Sequence, residues 1–259
     1  MSDSAYDIVQ AHGRRVWDSR GRPTVEVEIR VASGASGRAI APAGASRGSA
    51  EAVDLRDGGV RFGGLDVTRA VHNVQQLIAP ALLGHDVRDQ AALDALLVSL
   101  DPSPQRARLG GNALIAASMA CAHAAAAADR QPLWRHLLPA DAKGILPLPE
   151  IQILGGGAHA EGRVDIQDFM VMPVGAKSFA QALDWTAEIY RAAGERLSRA
   201  GLRQGVADEG GYWPAFDTNE AALELLVAAI EDAGRLPGDE VAISLDVAAS
   251  ELGRDGRYR

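Results

Sequence analysis

The first forty residues alternate between apolar and polar positions, with the period of two that is typical of strands with one buried face. The alternation runs from Ile8 to Val16 and again from Thr24 to Val31, and turn-forming residues at 18–21 separate the two segments. A third strand is predicted from Gly37 to Ala41. The pattern therefore predicts a small antiparallel sheet that begins with a hairpin.

Further along the chain, the apolar positions follow the longer period of helices. They recur on one face between Val67 and Ile78, on another between Leu93 and Leu100, and fill most of residues 112–128. The glycines and small residues of segment 42–48 instead predict a mobile loop. Because strands come first and helices follow, we expect an α+β domain at residues 1–140.

From about residue 141, strand-like and helix-like segments alternate. Strands are predicted at 145–154, 164–174, 204–207 and 241–246, and helices at 179–200 and 219–233. This rhythm predicts a parallel sheet, either a barrel or a doubly wound layer. We assign residues 141–259 to this second domain. It is incomplete as a barrel, because the pattern supplies about four strands and a barrel has eight.

Composition narrows the class of protein. The net charge is −8, with 26 basic and 34 acidic residues, so we expect no nucleic-acid partner. The sequence shows no signal peptide and no run of the roughly 18 apolar residues that would predict a membrane span. The single cysteine, Cys121, excludes an intrachain disulfide and favours a buried structural role. These features predict a soluble, cytoplasmic enzyme rather than a membrane or secreted protein.

Acidic and amide side chains fall near the predicted strand ends of the second domain. Asp246 ends one strand, residues 208–211 follow another, and Gln167 and Asp168 interrupt the apolar segment 164–174. In a parallel barrel such side chains converge on one mouth. Several carboxylates gathered there require a divalent cation, and an all-oxygen ligand set favours Mg²⁺ over Zn²⁺. The alternative is that each acid is a helix cap or a solvated loop residue.

Five segments resemble the signatures of the enolase family in order and spacing. They are DSRGRPTVE at 18–26, GAS at 44–46, FMVMPVG at 169–175, DEGG at 208–211 and LDVAASE at 245–251. The resemblance covers the chain from Ile8 to Tyr258. It implies an α+β N-terminal capping domain followed by the first part of an α/β, TIM-type, enolase-like barrel.

The resemblance also implies roles for the polar residues. Glu209 is similar to the general acid that protonates the departing hydroxyl at C3 of the substrate. His159 corresponds to a histidine on a loop that closes over the substrate, and Gln167 to a glutamine that contacts it. Asp168 stands where the family has a glutamate of the site, so its carboxylate is one methylene shorter.

A magnesium site follows from the same resemblance. Asp246 corresponds to the first of three carboxylates that bind the tighter Mg²⁺, and Ser46 to the serine that ligates a second Mg²⁺. The implied substrate is a small phosphorylated hydroxy acid, 2-phosphoglycerate, which is dehydrated reversibly to phosphoenolpyruvate in glycolysis. A homodimer is also implied for the complete protein.

Several positions near this site depart from the family pattern. Gln152 and Gly155 stand where asparagine is usual, Ala158 replaces a polar residue, and Ala207 replaces a glycine. These changes leave the substrate open. A secondary-metabolism paralogue, such as one similar to carboxyphosphonoenolpyruvate synthases, is the second hypothesis, and an inactive truncated binding protein is the third.

The resemblance places the other two metal carboxylates, the catalytic lysine base and the phosphate-binding residues beyond Arg259. We therefore expect the 259 residues to be a fragment of a longer protein, with a natural truncation as the alternative.

Overall fold

The computed structural model describes residues 4–41, 43–44, 46–161 and 163–258. The chain divides into two compact units. The first comprises Met1–Gly44 and Ala50–Gly144, and the second comprises Ala45–Ser49 and Ile145–Arg259.

The first unit contains the antiparallel sheet that the alternating pattern predicts. Its strands are β1 (Ile8–Trp17), β2 (Pro23–Val31) and β3 (Ser36–Ala41), paired in that order. The β1–β2 turn is held by Asp18, whose Oδ1 accepts hydrogen bonds from the backbone N–H groups of Arg20 at 2.9 Å and Arg22 at 2.8 Å. The predicted hairpin is confirmed.

Helices cover this sheet. They are α1 (Thr68–Asn73), α2 (Ala79–Leu82), α3 (Gln90–Leu100), α4 (Gly111–Ala128) and α5 (Leu133–His136), and a π-helical turn at Val74–Ile78 joins α1 to α2. The long helix α4 packs against β2 and β3. The approach is close at Gly37, where an added Cβ would lie 2.0 Å from the backbone nitrogen of Ala124. Only a glycine allows this contact without displacing the helix.

Helix α4 is also the one described helix that is long and apolar enough to cross a membrane, judged by length and composition alone. In the structure, 56% of its residues are buried inside the unit, and small side chains such as Ala116, Ala120 and Ala124 face the core. Cys121 lies on the same helix, and burial raises the pKa of its thiol to about 12. We therefore interpret α4 as a core helix and Cys121 as a packing residue.

The second unit is built on a five-stranded sheet of order β6-β7-β4-β5-β8. Its elements are β4 (Ile151–Gly155), β5 (Asp168–Met172), α6 (Phe179–Ala200), β6 (Arg203–Val206), β7 (Tyr212–Pro214), α7 (Asn219–Asp232) and β8 (Ala242–Asp246). A short helix α8 (Ala249–Leu252) and a two-stranded ribbon, β9 (Gly253–Arg254) and β10 (Arg257–Tyr258), follow. The apolar faces of α6 and α7 form one core with β4 and β5.

Local signals explain the helix boundaries. The Ser178 side chain caps α6 by accepting a hydrogen bond from Gln181 N, and Thr218 caps α7 in the same way through Ala221 N. Gly201 ends α6 in the left-handed conformation, with φ of 69°. The helices predicted at 179–200 and 219–233 are therefore confirmed to within one residue.

The strand pattern of the second unit differs from the prediction of a parallel sheet. β5 is antiparallel to both β4 and β8, because the connection from β4 to β5 carries no crossover helix. β4 begins only at Ile151, since Pro147 and Pro149 interrupt the apolar run before it. The segment near 204 is the first strand of a hairpin with β7, which the sequence pattern missed.

Candidate functional site

The antiparallel course of β5 brings three strand ends together. In the register of the sheet, Asp168 at the start of β5 pairs with Gly155 at the end of β4 and with Asp246 at the end of β8. The prediction that Gln167 and Asp168 interrupt a strand from 164 to 174 is wrong, because β5 begins at Asp168. Because β5 begins at Asp168, the carboxylate of this residue lies at the edge of the sheet where β4 and β8 end.

The loop between β4 and β5 carries His159. A short 3-10 turn, Gly157–His159, is held by hydrogen bonds from Gly156 N to Gln167 O at 2.7 Å and from Gly157 N to Val164 O at 2.9 Å. A Cβ at Gly156 would lie 2.3 Å from the carbonyl oxygen of Ile166, so this loop packs too tightly for a side chain there. The glycines let the chain fold back on itself, and the imidazole of His159 becomes fully buried.

His159, Asp168 and Glu209 form one cluster, with one ligand atom from each lying within 4.8 Å of the others. His159 Nε2 lies 3.7 Å from Asp168 Oδ1 and 3.7 Å from Glu209 Oε1. The Asp168 side chain is 5% exposed, whereas that of Glu209 is 47% exposed. The cluster thus has a buried side and an open side, and Glu209 lies on the open one.

Two amide side chains hold the Asp168 carboxylate. Gln152 Nε2 donates to Oδ1, and Gln167 Nε2 donates to Oδ2 at 3.1 Å. In the described part of the chain, no lysine or arginine pairs with Asp168 or Glu209. The carboxyl group of Asp168 is therefore oriented by two neutral amide donors.

The loop at 207–211 positions Glu209. Ala207 N donates to Gly211 O at 2.7 Å and Gly210 N donates to Ala207 O at 3.0 Å, which closes a tight turn between β6 and β7. From helix α6, the Tyr190 hydroxyl donates to Gly210 O at 2.9 Å. The ring of Tyr190 stacks on Tyr212, with centroids 4.2 Å apart. Burial, and then the neighbouring Tyr212, raise the pKa of Tyr190, so its hydroxyl keeps the proton that it donates.

Gln152 connects this loop to Asp168. Its Oε1 accepts a hydrogen bond from Gly211 N at 2.7 Å while its Nε2 donates to Asp168. A Cβ at Gly211 would lie 2.6 Å from Gln152 Oε1, so a larger residue there would displace the Gln152 side chain from this position. Sequence reasoning missed the positioning role of Gln152 and of Tyr190. The GG pair at 210–211 was the one signal that a side chain packs against this turn.

Asp246 and Gln167 lie beside this cluster. Gln167 Nε2 donates to Asp246 Oδ2 at 3.2 Å as well as to Asp168, so one amide joins the two carboxylates. Asp246 is exposed, and its Oδ1 accepts from Ala248 N at 2.9 Å. Ser46 lies in an irregular segment and is half-buried, and its metal role stays a prediction.

The donor set around Asp246 fits magnesium. The Asp246 carboxylate is exposed, and Gln167 Oε1 is buried without a hydrogen-bond partner among the described residues. Mg²⁺ prefers oxygen ligands and is commonly held by one or two carboxylates together with water and substrate oxygens. The exposed Asp246 carboxylate can serve as such a ligand.

Comparison with known families agrees with this architecture. Residues 8–137 match the family model of the enolase N-terminal domain, and residues 143–259 match that of the enolase C-terminal TIM barrel domain. The two matches follow the two structural units and cover nearly the whole sequence. The resemblance inferred from the short motifs is confirmed, and the chain belongs to the enolase family.

Proposed function

We propose that the chain is the acid-bearing part of a magnesium-dependent enolase that interconverts 2-phosphoglycerate and phosphoenolpyruvate in the cytoplasm. The observation that carries the proposal is the cluster in which Glu209 faces the solvent side of buried His159 and Asp168. Family membership supports lyase chemistry on a small phosphorylated acid. The complete protein is proposed to act as a homodimer.

The reaction removes a proton from C2 and hydroxide from C3. In our proposal Glu209 donates its proton to the hydroxyl oxygen as the C3–O bond breaks, so that water leaves. The side-chain exposure of 47% lets the Glu209 carboxyl group reach a substrate while its loop stays fixed by Tyr190 and Gln152. In our proposal the C2 proton goes to a separate base, which is not among the site residues assigned above.

The buried residues are proposed to bind and orient the substrate. Gln167 carries an unpaired buried Oε1, and His159 carries two unpaired ring nitrogens, so both can still form hydrogen bonds. Asp168 accepts from both glutamines, which fixes its carboxylate beside His159. Asp246, with Ser46, would hold Mg²⁺, which when bound stabilises negative charge on the substrate carboxylate.

Turnover measurements test the proposal. We expect no phosphoenolpyruvate absorbance from the 259 residues alone, and EDTA-sensitive turnover from the chain completed with its remaining barrel strands. In that completed protein, Glu209→Gln should lower dehydration by about 10²-fold or more. Solvent deuterium exchange at C2 should continue, because the base is untouched.

Glu224→Gln is the matched control, since it makes the same change on an exposed position of α7. It should leave both rates at the wild-type level. EDTA-insensitive turnover by the 259 residues would overturn the mechanism. A completed chain with neither turnover nor C2 exchange on any phosphorylated acid would instead favour the inactive binding protein.

A second candidate function is that of the phosphonate-type paralogue. It is favoured by contacts between residues that depart from the family pattern. Gln152 is one methylene longer than the usual asparagine and donates to Asp168, which is one methylene shorter than the usual glutamate. Gly155 faces Ala207 so closely that a Cβ at Gly155 would lie 2.6 Å from the Ala207 Cβ. The family carries the larger residue at the first position and glycine at the second.

In our proposal, these paired changes compensate one another in size and alter the shape of the site. Such a change affects substrate choice more than fold. A completed chain that binds Mg²⁺, ignores 2-phosphoglycerate and dehydrates a phosphonate analogue would favour the paralogue.

A further inference from the structure

The imidazole of His159 has an unusual environment for a fully buried polar group. Within the described residues, neither Nδ1 nor Nε2 has a hydrogen-bond partner. Burying an unpaired polar atom is energetically unfavourable. Nε2 points at two carboxylate oxygens, each 3.7 Å away. A ligand placed between these three atoms would relieve the cost.

The three atoms have the composition of a transition-metal site. One imidazole nitrogen and two carboxylate oxygens lie within 4.8 Å of one another. Imidazole suits zinc and its neighbours in the first transition row, whereas Mg²⁺ prefers oxygen alone. Bonds of about 2.0–2.2 Å in a tetrahedral site place ligand atoms about 3.3 Å apart. The two separations from Nε2, 3.7 Å each, are slightly longer, and all three atoms lie within 4.8 Å of one another, so an inward movement of the side chains completes the site.

The surroundings meet the other requirements of a metal site. Gln152 and Gln167 donate to the two oxygens of Asp168, and such outer hydrogen bonds orient a ligating carboxylate. Glu209 lies on the open side, with its side chain 47% exposed, and gives an entry path for the ion. Its half-exposed side chain also supplies the movement, because the side chain can change rotamer while the loop stays in place.

We propose that His159, Asp168 and Glu209 bind a zinc-type transition-metal ion at a position separate from the magnesium position at Asp246. The ion is held by His159 Nε2, Asp168 Oδ1 and Glu209 Oε1. Because a metal-bound Glu209 carboxylate cannot carry a proton, occupancy inhibits dehydration. This inhibitory consequence rests on the proposed function, whereas the binding itself does not.

Calorimetric titration of the 259-residue chain with Zn²⁺ alone tests the binding. We expect one saturable equivalent of Zn²⁺, with no displacement by Mg²⁺ at the same concentration. His159→Gln, Asp168→Asn and Glu209→Gln should each weaken Zn²⁺ binding by at least about 10-fold, because each removes one ligand. Asp246→Asn should leave Zn²⁺ binding intact.

His136→Gln is the matched control for histidine, since His136 Nδ1 also lies near a carboxylate, 3.2 Å from Asp129 Oδ2, in the first unit. It should bind Zn²⁺ as the wild type does. Equal loss in His136→Gln and His159→Gln, or the absence of a saturable equivalent, would overturn the proposal. Glu209 is half-exposed, so the Glu209→Gln variant remains informative if a buried substitution impairs folding.

The outcome is separable from that of the proposed function. Zn²⁺ binding without any turnover by the completed chain would support the metal site and reject the enolase reaction. Magnesium-dependent turnover with no Zn²⁺ site would do the reverse. Where both hold, Zn²⁺ should inhibit dehydration in proportion to its occupancy.

Discussion

The two units of this chain bury acidic side chains in opposite ways. In the first unit, Asp66 accepts hydrogen bonds from Arg15 Nη1 at 2.9 Å and from Val67 N at 2.9 Å. Burial opposes its charged form, but these hydrogen bonds outweigh it and hold the pKa of Asp66 below its usual value. In the second unit, the described hydrogen-bond donors to buried Asp168 are two amide side chains, and an imidazole and a second carboxylate lie nearby.

The difference indicates that the second unit gives up folding stability in order to keep side chains that can bind ligands. A buried acid with an arginine partner and a backbone donor fixes the local structure and leaves little capacity for a ligand. A buried acid near a second carboxylate and an unpaired histidine destabilises the free protein, yet it can bind cations and protons. Such unbalanced groups are typical of functional sites.

The largest expected effects are losses of stability when a closely packed glycine is replaced. In the first unit the glycine packs against backbone, and in the second it packs against a side chain that can be removed. Gly37→Ala should destabilise the first unit by about 3 kcal/mol, because its Cβ would lie 2.0 Å from the α4 backbone at Ala124, which no side-chain movement can relieve.

Gly155→Ala should destabilise the second unit by about 1–3 kcal/mol through its contact with the Ala207 Cβ. Ala207→Gly should restore most of that loss in the double variant.

Hydrogen exchange followed by mass spectrometry reports the two units separately through their own peptides. Gly205→Ala is the control, since its nearest neighbour would be a Trp213 carbon at 3.9 Å. A Gly155→Ala loss that Ala207→Gly does not restore would show that the two positions are not coupled.

Asp66→Asn tests the paired acid of the first unit. Loss of the Asp66 carboxylate should destabilise this unit by about 1–3 kcal/mol at neutral pH, since Arg15 and Arg61 lose their carboxylate partner. Because the folded pKa of Asp66 is lowered, its contribution is present above the unfolded pKa of about 3.9 and is lost as the pH falls through the folded value.

The difference between wild type and Asp66→Asn should therefore be constant from pH 7 to 5 and should narrow below about pH 4. Urea unfolding at a series of pH values measures it. A difference that stays the same down to pH 3 would show that packing, and not the ionised carboxylate, accounts for the effect.

Much of the fold could be predicted from the sequence because its signals are local. The alternation in β1 and β2 and the caps at Ser178 and Gly201 each depend on a few neighbouring residues. The direction of β5 could not be read in this way. It depends on the long-range pairing of Asp168 with both Gly155 and Asp246, and the apolar content of a strand is the same in either direction.

The site shows the same division between local and long-range information. The motifs identified His159, Asp168 and Glu209, which the structure brings together. Gln152 was recognised only as a departure from the family pattern, because its role depends on a bond to Gly211, 59 positions away. Sequence reasoning thus found the ionisable residues of the cluster and missed a residue that holds them in place.

The smallest expected effect is on stability as well, but it is no change or a small gain where the other variants lose stability. His159→Phe should leave the second unit unchanged or make it up to about 1 kcal/mol more stable, because it replaces a buried ring with two unpaired nitrogens by an apolar ring. Asn112→Leu in α4 is the comparison from the first unit. Asn112 is equally buried, but its side chain donates to Leu55 O at 3.2 Å and accepts from Leu55 N at 3.3 Å. Its replacement should therefore destabilise by about 1–3 kcal/mol.

Urea unfolding of both variants measures the contrast, and hydrogen exchange assigns each change to its unit. If His159→Phe destabilised the protein as much as Asn112→Leu, the imidazole would have to make hydrogen bonds in solution that satisfy it, for example to bound water. The second unit would then satisfy the hydrogen bonding of His159 as the first unit does that of Asn112. A stable His159→Phe variant that has lost Zn²⁺ binding would instead show that this histidine is retained for ligand binding at the expense of stability.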